Sequence, residues 1–282
     1  MRRPLRVAIL VLVLAAAAGC TGMFFLPYRG HVLTPERIGL KYEDVYFESR
    51  DGVRLHAWFL PAQGSTVATV LHLHGNAENI STHIGNVYWM PARGFNVFLL
   101  DYRGYGASLG SPSVEGALED VDSAVQALLA RADIDRSRIV VFGQSLGGAL
   151  AIHYVAHSLY RQYVRALIVE SAFSSYREIA REKLAAFWLT WPLQYPLSWT
   201  VNDDYSPLRA VGRISPIPLL ILHGDRDPIV PLHHGQRLYA AARDPKAMWL
   251  VPGGGHTEAM RDDARRDRLT AYIRNAVGPD GP

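Results

Sequence analysis

Apolar residues fall along this chain in two periodicities, and the change from one to the other divides the sequence. From Tyr42, the runs YEDVYFES and VRLHAWFLP alternate apolar with polar residues, and Arg50-Asp51-Gly52 between them reads as a tight hairpin turn. Beyond them, VATVLHLHG, FNVFLLDYRG, RIVVFGQS, ALIVES and PLLILHG, then AMWLVPGGG, are almost continuously apolar. The segments between have helical length and period, VEGALEDVDSAVQALLARA most clearly. Strands apolar on both faces that alternate with helices imply a parallel sheet covered on both sides by right-handed crossovers. The expected fold class is α/β: a mostly parallel central sheet of about eight strands, helices on both faces, and an antiparallel edge at the start.

The first twenty residues follow neither pattern. MRRPLR is basic, VAILVLVLAAAA is an apolar core and Gly19-Cys20 closes it, the layout of an export signal whose core is shorter than the roughly 20 residues of a bilayer-spanning helix. Ala17-Ala18-Gly19-Cys20 resembles a bacterial lipobox, whose small residues admit a lipoprotein signal peptidase ahead of a diacylglycerol-modified cysteine. The expected layout is a signal over 1–19, a tether over 20–41 and one domain over 42–282, with a cap segment near 174–205. Lipidated Cys20 would hold the mature chain to a membrane of the bacterial cell envelope, facing the periplasm. Thr21 in place of Asp favours the outer membrane.

Composition narrows the field further. The chain has 282 residues, 49% hydrophobic and 20% charged, enough for one large core. A formal charge of +3 with no long Lys/Arg block excludes nucleic acid as the expected partner. Cys20 is the only cysteine, so no intramolecular disulfide supports the fold.

In open sheets of this kind, ligands bind beyond the carboxyl ends of the strands. Those ends carry His72 and His74, Asp101 and Arg103, Ser145, Glu170, Asp225 and Asp227, and His256. Ser145 sits in Gly143-Gln144-Ser145-Leu146-Gly147, a G-x-S-x-G sequence between an apolar strand and a helix. A sharp strand-to-helix turn there would expose the serine and leave no room for side chains at Gly143 and Gly147. A serine hydroxyl needs a base to take its proton and a third group to hold that base. His256 in VPGGGHTE is the expected base, because His153 and His157 lie inside the helix after Ser145 and His233 and His234 open another. Asp227 of LHGDRDPIVP is the expected acid, Asp225 the residue that shapes the turn, and Glu170 a remote alternative whose more natural role is a buried, paired carboxylate. The oxyanion donors would be the backbone amides of Leu146, at a helix start, and of Asn76 in the loop after LHLHG, where the Asn76 side chain is suited to capping.

One segment stands apart. FWLTWPLQYPLSW is aromatic-rich and interrupted by Pro192 and Pro196, so it cannot be a single regular helix. It is expected to form a small cap whose aromatics pack onto the sheet, line an acyl pocket or meet lipid, with Phe187, Trp188 and Trp191 as the candidate substrate contacts.

From about Tyr42 to its end the chain resembles the α/β-hydrolases, and within them the BEM46-like and ABHD13- or ABHD17-like serine hydrolases. The stretches HLHGNAEN, LLDYRGYGASLGSPS, VFGQSLGGALA, ESAFSS and PLLILHGDRDPIVP with GGGHTE carry the resemblance in order. It implies a Ser145–Asp227–His256 triad with an oxyanion hole at Asn76 and Leu146, and a site lined in part by DYRGYGAS, where Tyr105 is either a substrate contact or purely structural. Esters, thioesters including protein palmitoyl groups, and lipids are the implied substrates. A serine peptidase of the same fold and a catalytically silent envelope binding protein are the alternatives. No cofactor is expected, since Gly143 to Gly148 carries its serine where a dinucleotide loop needs open backbone. No metal is expected either, and His72 and His74 read as core histidines.

Overall fold

The computed structural model describes residues 24–278. The expected signal and Cys20 lie outside them. The strands are β1 (Leu26–Pro27), β2 (Glu43–Glu48), β3 (Arg54–Leu60), β4 (Ala68–Leu73), β5 (Ala77–Glu78), β6 (Phe95–Asp101), β7 (Ile139–Gln144), β8 (Val164–Glu170), β9 (Leu219–Gly224) and β10 (Lys246–Val251). Eight of them form one sheet in the order β10-β9-β8-β7-β4-β6-β3-β2. It is parallel from β10 to β6, and β3 alone runs against its neighbours. The β2–β3 hairpin closes where expected, with the Ser49 amide donating to the Val53 carbonyl at 2.8 Å.

The apolar runs become central strands because both their faces are covered. Every residue of β4, β7 and β9 is buried. Alternate side chains feed two cores, Leu71, Val141, Leu167 and Ile221 on one face and Val70, Val140, Ile168 and Leu220 on the other. Helices α1 (Val114–Ala130) and α2 (Leu146–His157) pack on the first face through Val121, Val125, Leu150 and Ile152. The last helix covers the second face through Leu269 and Ile273.

The cap lies on the sequence between β8 and β9. It consists of α3 (Tyr176–Ala186), whose first turn is capped by Ser175 Oγ accepting from the Glu178 amide at 3.0 Å, and α4 (Gln194–Trp199). Helix α5 (Leu232–Ala241) follows β9, and α6 (Asp263–Val277) ends the fold. No helix among the described residues is long and apolar enough to cross a membrane.

The N-terminal segment differs from the expected tether. From residue 24 it packs on the domain: β1 pairs in parallel with β5, Phe25 is buried, and His31 Nε2 lies 3.1 Å from Asp101 Oδ2. The alternation that signals a strand is absent from two-residue β1, so nothing in the pattern marked this segment as part of the fold.

Candidate active site

The turn from β7 into α2 places Ser145 in a conformation most side chains avoid, φ 52° and ψ −116°. The surrounding backbone imposes that geometry. A Cβ on Gly143 would run into the Gly147 carbonyl oxygen, and one on Gly147 would overlap the carbonyls of Leu73 and His74. Only glycine lets the elbow approach β4 this closely. The Ser145 amide donates to the Glu170 carbonyl at 2.8 Å, which ties the elbow to the end of β8.

Ser145 opens on a cavity of about 220 Å³ lined also by Asn76, Leu146, Phe24, Phe173, Ile179 and Val230. Neither the Asn76 nor the Leu146 amide is taken by another backbone acceptor among the described residues. Both are therefore free to donate into this space. The Asn76 side chain does not cap the following turn. That is done by Asn79, whose Oδ1 accepts from the Ser81 amide at 2.9 Å.

His256 Nδ1 lies 2.8 Å from Asp227 Oδ2, and Asp227 Oδ1 accepts from the amides of Ile229 and Val230 at 2.8 and 2.9 Å. With Nδ1–H donating to the carboxylate, His256 presents Nε2 as its free basic atom. Burial alone would raise the Asp227 carboxyl; the His256 contact and the two amides outweigh it and hold the group below the ordinary carboxylate range. Asp225 shapes the turn, accepting from the Gly253 amide at 2.7 Å. Ser145 Oγ and His256 are not hydrogen-bonded in this structure.

What brings the His256 loop to the elbow is a buried polar network of which sequence reasoning named Glu170 and His72 without joining them. Its Oε1 accepts from the Ala259 amide and its Oε2 from Gln144 Nε2, both at 2.7 Å. Gln144 Oε1 accepts in turn from Asn86 Nδ2 at 2.9 Å and from His72 Nε2 at 3.1 Å. Burial raises the Glu170 carboxyl above its usual range, with the two donors working against that shift. Glu170 is thus the paired buried carboxylate, and it bridges the residue before Ser145 to the loop after His256. Ser171 adds a second hold, its Oγ accepting from the Thr257 amide at 3.2 Å. His72 and His74 are fully buried, and burial lowers both to about 3, so they are neutral core groups.

Phe187, Trp188 and Trp191, the candidate substrate contacts, do not line the cavity, and neither does Tyr105, which the sequence left open between contact and structure. Tyr105 is fully buried, and its hydroxyl donates to the Asn76 carbonyl at 2.6 Å while accepting from the Leu26 amide at 3.1 Å. It holds the Asn76 loop and does not line the cavity. Phe187, Trp188 and Trp191 are 52%, 78% and 59% exposed and turn away from the sheet, because the cap's prolines break it into short turns that leave them outward. The walls come instead from α3, through Ile179, Ala180 and Lys183, and from Phe24, which packs edge-on to Tyr176 at 5.0 Å.

Two clusters among the described residues bring three metal-ligating side chains together: His31, His56 and Asp101, and Glu178, His233 and His234. Their hydrogen bonds already engage them. His56 lies between Asp44 at 2.7 Å and Asp101 at 3.3 Å. His234 Nδ1 accepts from the Ser174 amide at 3.1 Å, which leaves Nε2–H to donate to Glu182 at 3.2 Å.

Similarity to known proteins agrees with this architecture. The family model for serine aminopeptidase, S33, matches residues 64–210, and that for a TAP-like protein matches residues 187–281. The chain is 38% identical over 244 residues to the uncharacterized protein YfhR of Escherichia coli (strain K12), spanning 84% of this chain and 82% of that protein. It is also 38% identical over 242 residues to the alpha/beta hydrolase domain-containing protein WAV2 of Arabidopsis thaliana, 82% of this chain and 77% of that one. Among solved structures, the Pyrococcus furiosus esterase PF2001 superposes with a TM-score of 0.72 at 21% identity, over 90% of this chain and 97% of the esterase.

Proposed function

The chain belongs to the α/β-hydrolase superfamily, and from that premise we propose that it is a serine hydrolase of carboxylic esters or thioesters, of the carboxylesterase and thioesterase class (EC 3.1). One observation carries the proposal: a serine in a strained elbow opens on an apolar cavity whose wall also holds two uncommitted backbone amides. The similarity to an esterase and to an alpha/beta hydrolase domain-containing protein supports it, and the stretches HLHGNAEN, VFGQSLGGALA and GGGHTE support the further proposal of a BEM46-like branch.

In the proposed reaction, Ser145 Oγ attacks the acyl carbonyl carbon as His256 Nε2 takes its proton. Ionised Asp227 stabilises the imidazolium through Nδ1–H. The carbonyl π electrons move onto oxygen, and the amides of Asn76 and Leu146 receive that negative charge, each donor contributing roughly 3–4 kcal/mol. Collapse expels the alcohol or thiol, which takes the proton from His256, and leaves the acyl group on Ser145. Water then gives a proton to His256 and attacks the acyl carbon. A second collapse releases the carboxylic acid and returns the proton to Ser145.

The serine aminopeptidase match favours a second reading, a peptidase of the same fold. Such an enzyme must hold the substrate's terminal ammonium, and this cavity is lined by no carboxylate and by one cation, Lys183. A fluorophosphonate probe on the purified protein, beside Ser145→Ala, followed by turnover of p-nitrophenyl esters and aminoacyl p-nitroanilides, tests all readings. Labelling lost with Ser145→Ala and faster cleavage of esters is expected. Faster cleavage of the anilides would favour the peptidase, and an unlabelled wild type would leave the silent binding protein.

We further propose that the protein is anchored through lipidated Cys20, with the outer membrane favoured and the domain facing the periplasm. The basic, apolar and small-residue succession ahead of the single cysteine supports this. Cys20→Ser should release the protein from the membrane fraction; retention would refute the anchor.

A further inference from the structure

We propose that the outer ridge of the cap docks into the interface of a phospholipid bilayer and holds the mouth of the Ser145 cavity against it, so that the substrates are amphiphilic esters dissolved in the membrane. This rests on the reading of the protein as a lipid-anchored ester hydrolase. The ridge consists of Trp188, Trp191 and Trp199 with Phe187, Leu189 and Leu193, each more than half exposed, at 78%, 59%, 68%, 52%, 59% and 51%. From Phe187 to Asn202 the chain carries no charged residue. Isolated exposed apolar groups are ordinary on a protein surface, but six within one uncharged stretch of thirteen residues mark a contact site. Tryptophans are the residues that settle at the level of lipid headgroups.

Three further observations point to a bilayer as the occupant. The first is the charge around the ridge. On α3, which leads into it, the acids turn inward: Glu182 meets His233 and His234, and Glu178 meets Arg237. The cations Arg177, Arg181 and Lys183 meet the Val201 carbonyl, the Tyr195 ring and the Pro228 carbonyl and form no salt bridge among the described residues, so no carboxylate competes with lipid phosphates for their charge. The second is where the described chain begins. Phe24 lines the cavity and packs on Phe173 and Tyr176 at the start of α3. Cys20 precedes it by four residues, which at full extension span at most about 14 Å. An acyl anchor at Cys20 therefore brings the bilayer to the cavity side of the molecule. The third is continuity: Lys183 lines the cavity, and Phe187 follows it by about one helical turn. Exposed Ile229 continues the apolar rim on the far wall.

The test uses the full-length lipoprotein, purified from membranes and reconstituted into vesicles of phosphatidylethanolamine and phosphatidylglycerol whose acyl chains are brominated near the headgroup. Bromine should quench the ridge tryptophans, while buried Trp58 and Trp89 are shielded. Leu189→Asp with Leu193→Asp keeps every tryptophan and should cut the quenching at least about threefold, because charges are expelled from the interface. Turnover of water-soluble p-nitrophenyl butyrate should stay within about twofold of wild type, since neither leucine reaches the cavity. Equal quenching in both proteins, or none in the wild type, would overturn the proposal. So would a dimer that the substitution converts to monomer without any quenching, which would assign the ridge to a second copy. Leu189→Ser with Leu193→Ser gives the same expectation should the aspartates impair folding. Probe labelling of Ser145 and the mass of the Cys20 modification are read separately, so failure of hydrolysis or of lipidation is distinguishable from failure of docking.

Discussion

Replacing Glu170 by glutamine changes one atom and should cost more than its size suggests. Both carboxylate oxygens accept, one from the Ala259 amide and the other from Gln144 Nε2. A glutamine offers one acceptor and one NH₂ group, so whichever way it turns, a donor faces a donor. Gln144 could flip to relieve this only by presenting its own NH₂ to Asn86 Nδ2 and His72 Nε2. Asn86 could answer by turning its own amide, but His72 could answer only by changing tautomer, which puts the proton on its buried, unpartnered Nδ1. One buried donor is left unsatisfied in every arrangement, at about 1–3 kcal/mol. At roughly 2–4 °C per kcal/mol for a domain of this size, Glu170→Gln should lower the melting temperature by several degrees. Because Ala259 lies three residues beyond His256, kcat should fall while KM stays near the wild-type value. Thermal unfolding and steady-state kinetics on a p-nitrophenyl ester measure both effects. A variant that melts within about 1 °C of wild type with unchanged kcat would refute the view that Glu170 holds the His256 loop to the elbow.

Other consequences are as direct. Tyr105→Phe should cost about 1–3 kcal/mol by leaving the Leu26 amide and Asn76 carbonyl without their shared hydroxyl; denaturant titration measures it, and kcat should fall with KM nearly fixed. Asp101 is held at about 2 by His31, His56 and the Ile80 amide against the opposing effect of burial. A lowered carboxylate stabilises the fold above its unfolded value, near 4, and loses that contribution as pH falls toward 2, so about 2 kcal/mol of acid sensitivity should vanish in Asp101→Asn, read from urea midpoints across that range. At about 220 Å³ the cavity is smaller than the roughly 300–1,000 Å³ of pockets that enclose drug-sized ligands, which suits short and medium acyl chains. Turnover of soluble p-nitrophenyl esters should accordingly rise to hexanoate or octanoate and fall for palmitate; a steady rise to palmitate would show that the cavity does not bound the acyl chain.

The features legible in the sequence are those written in local pattern. Continuous apolar runs identified β4, β7 and β9, and the strand–Gly-x-Ser-x-Gly–helix succession located Ser145 at a turn. The pairing of His256 with Asp227 was also anticipated, because both sit at strand ends on one side of a parallel sheet. What escaped depends on distant segments meeting. Phe24 reaches the cavity through a two-residue strand pairing that leaves no periodic trace. Aromatic residues signalled Phe187, Trp188 and Trp191 as substrate contacts, but composition does not say which way a short, proline-broken turn faces. For Tyr105, the resemblance left substrate contact and a structural role open, and only the distant Leu26 and Asn76 backbone groups that engage its hydroxyl favour the structural one.

The seating of the first described residues also sets where this protein can be cut and fused. A recombinant domain begun at Tyr42, where the strong sequence pattern starts, would lack the Phe24 wall, the partner strand of β5 and one of the two histidines facing Asp101. It would be expected to expose core and open the site, and its low activity would be misread as a property of the enzyme. The smallest faithful expression unit begins before Phe24, and reporters or affinity handles belong at the other end of the chain.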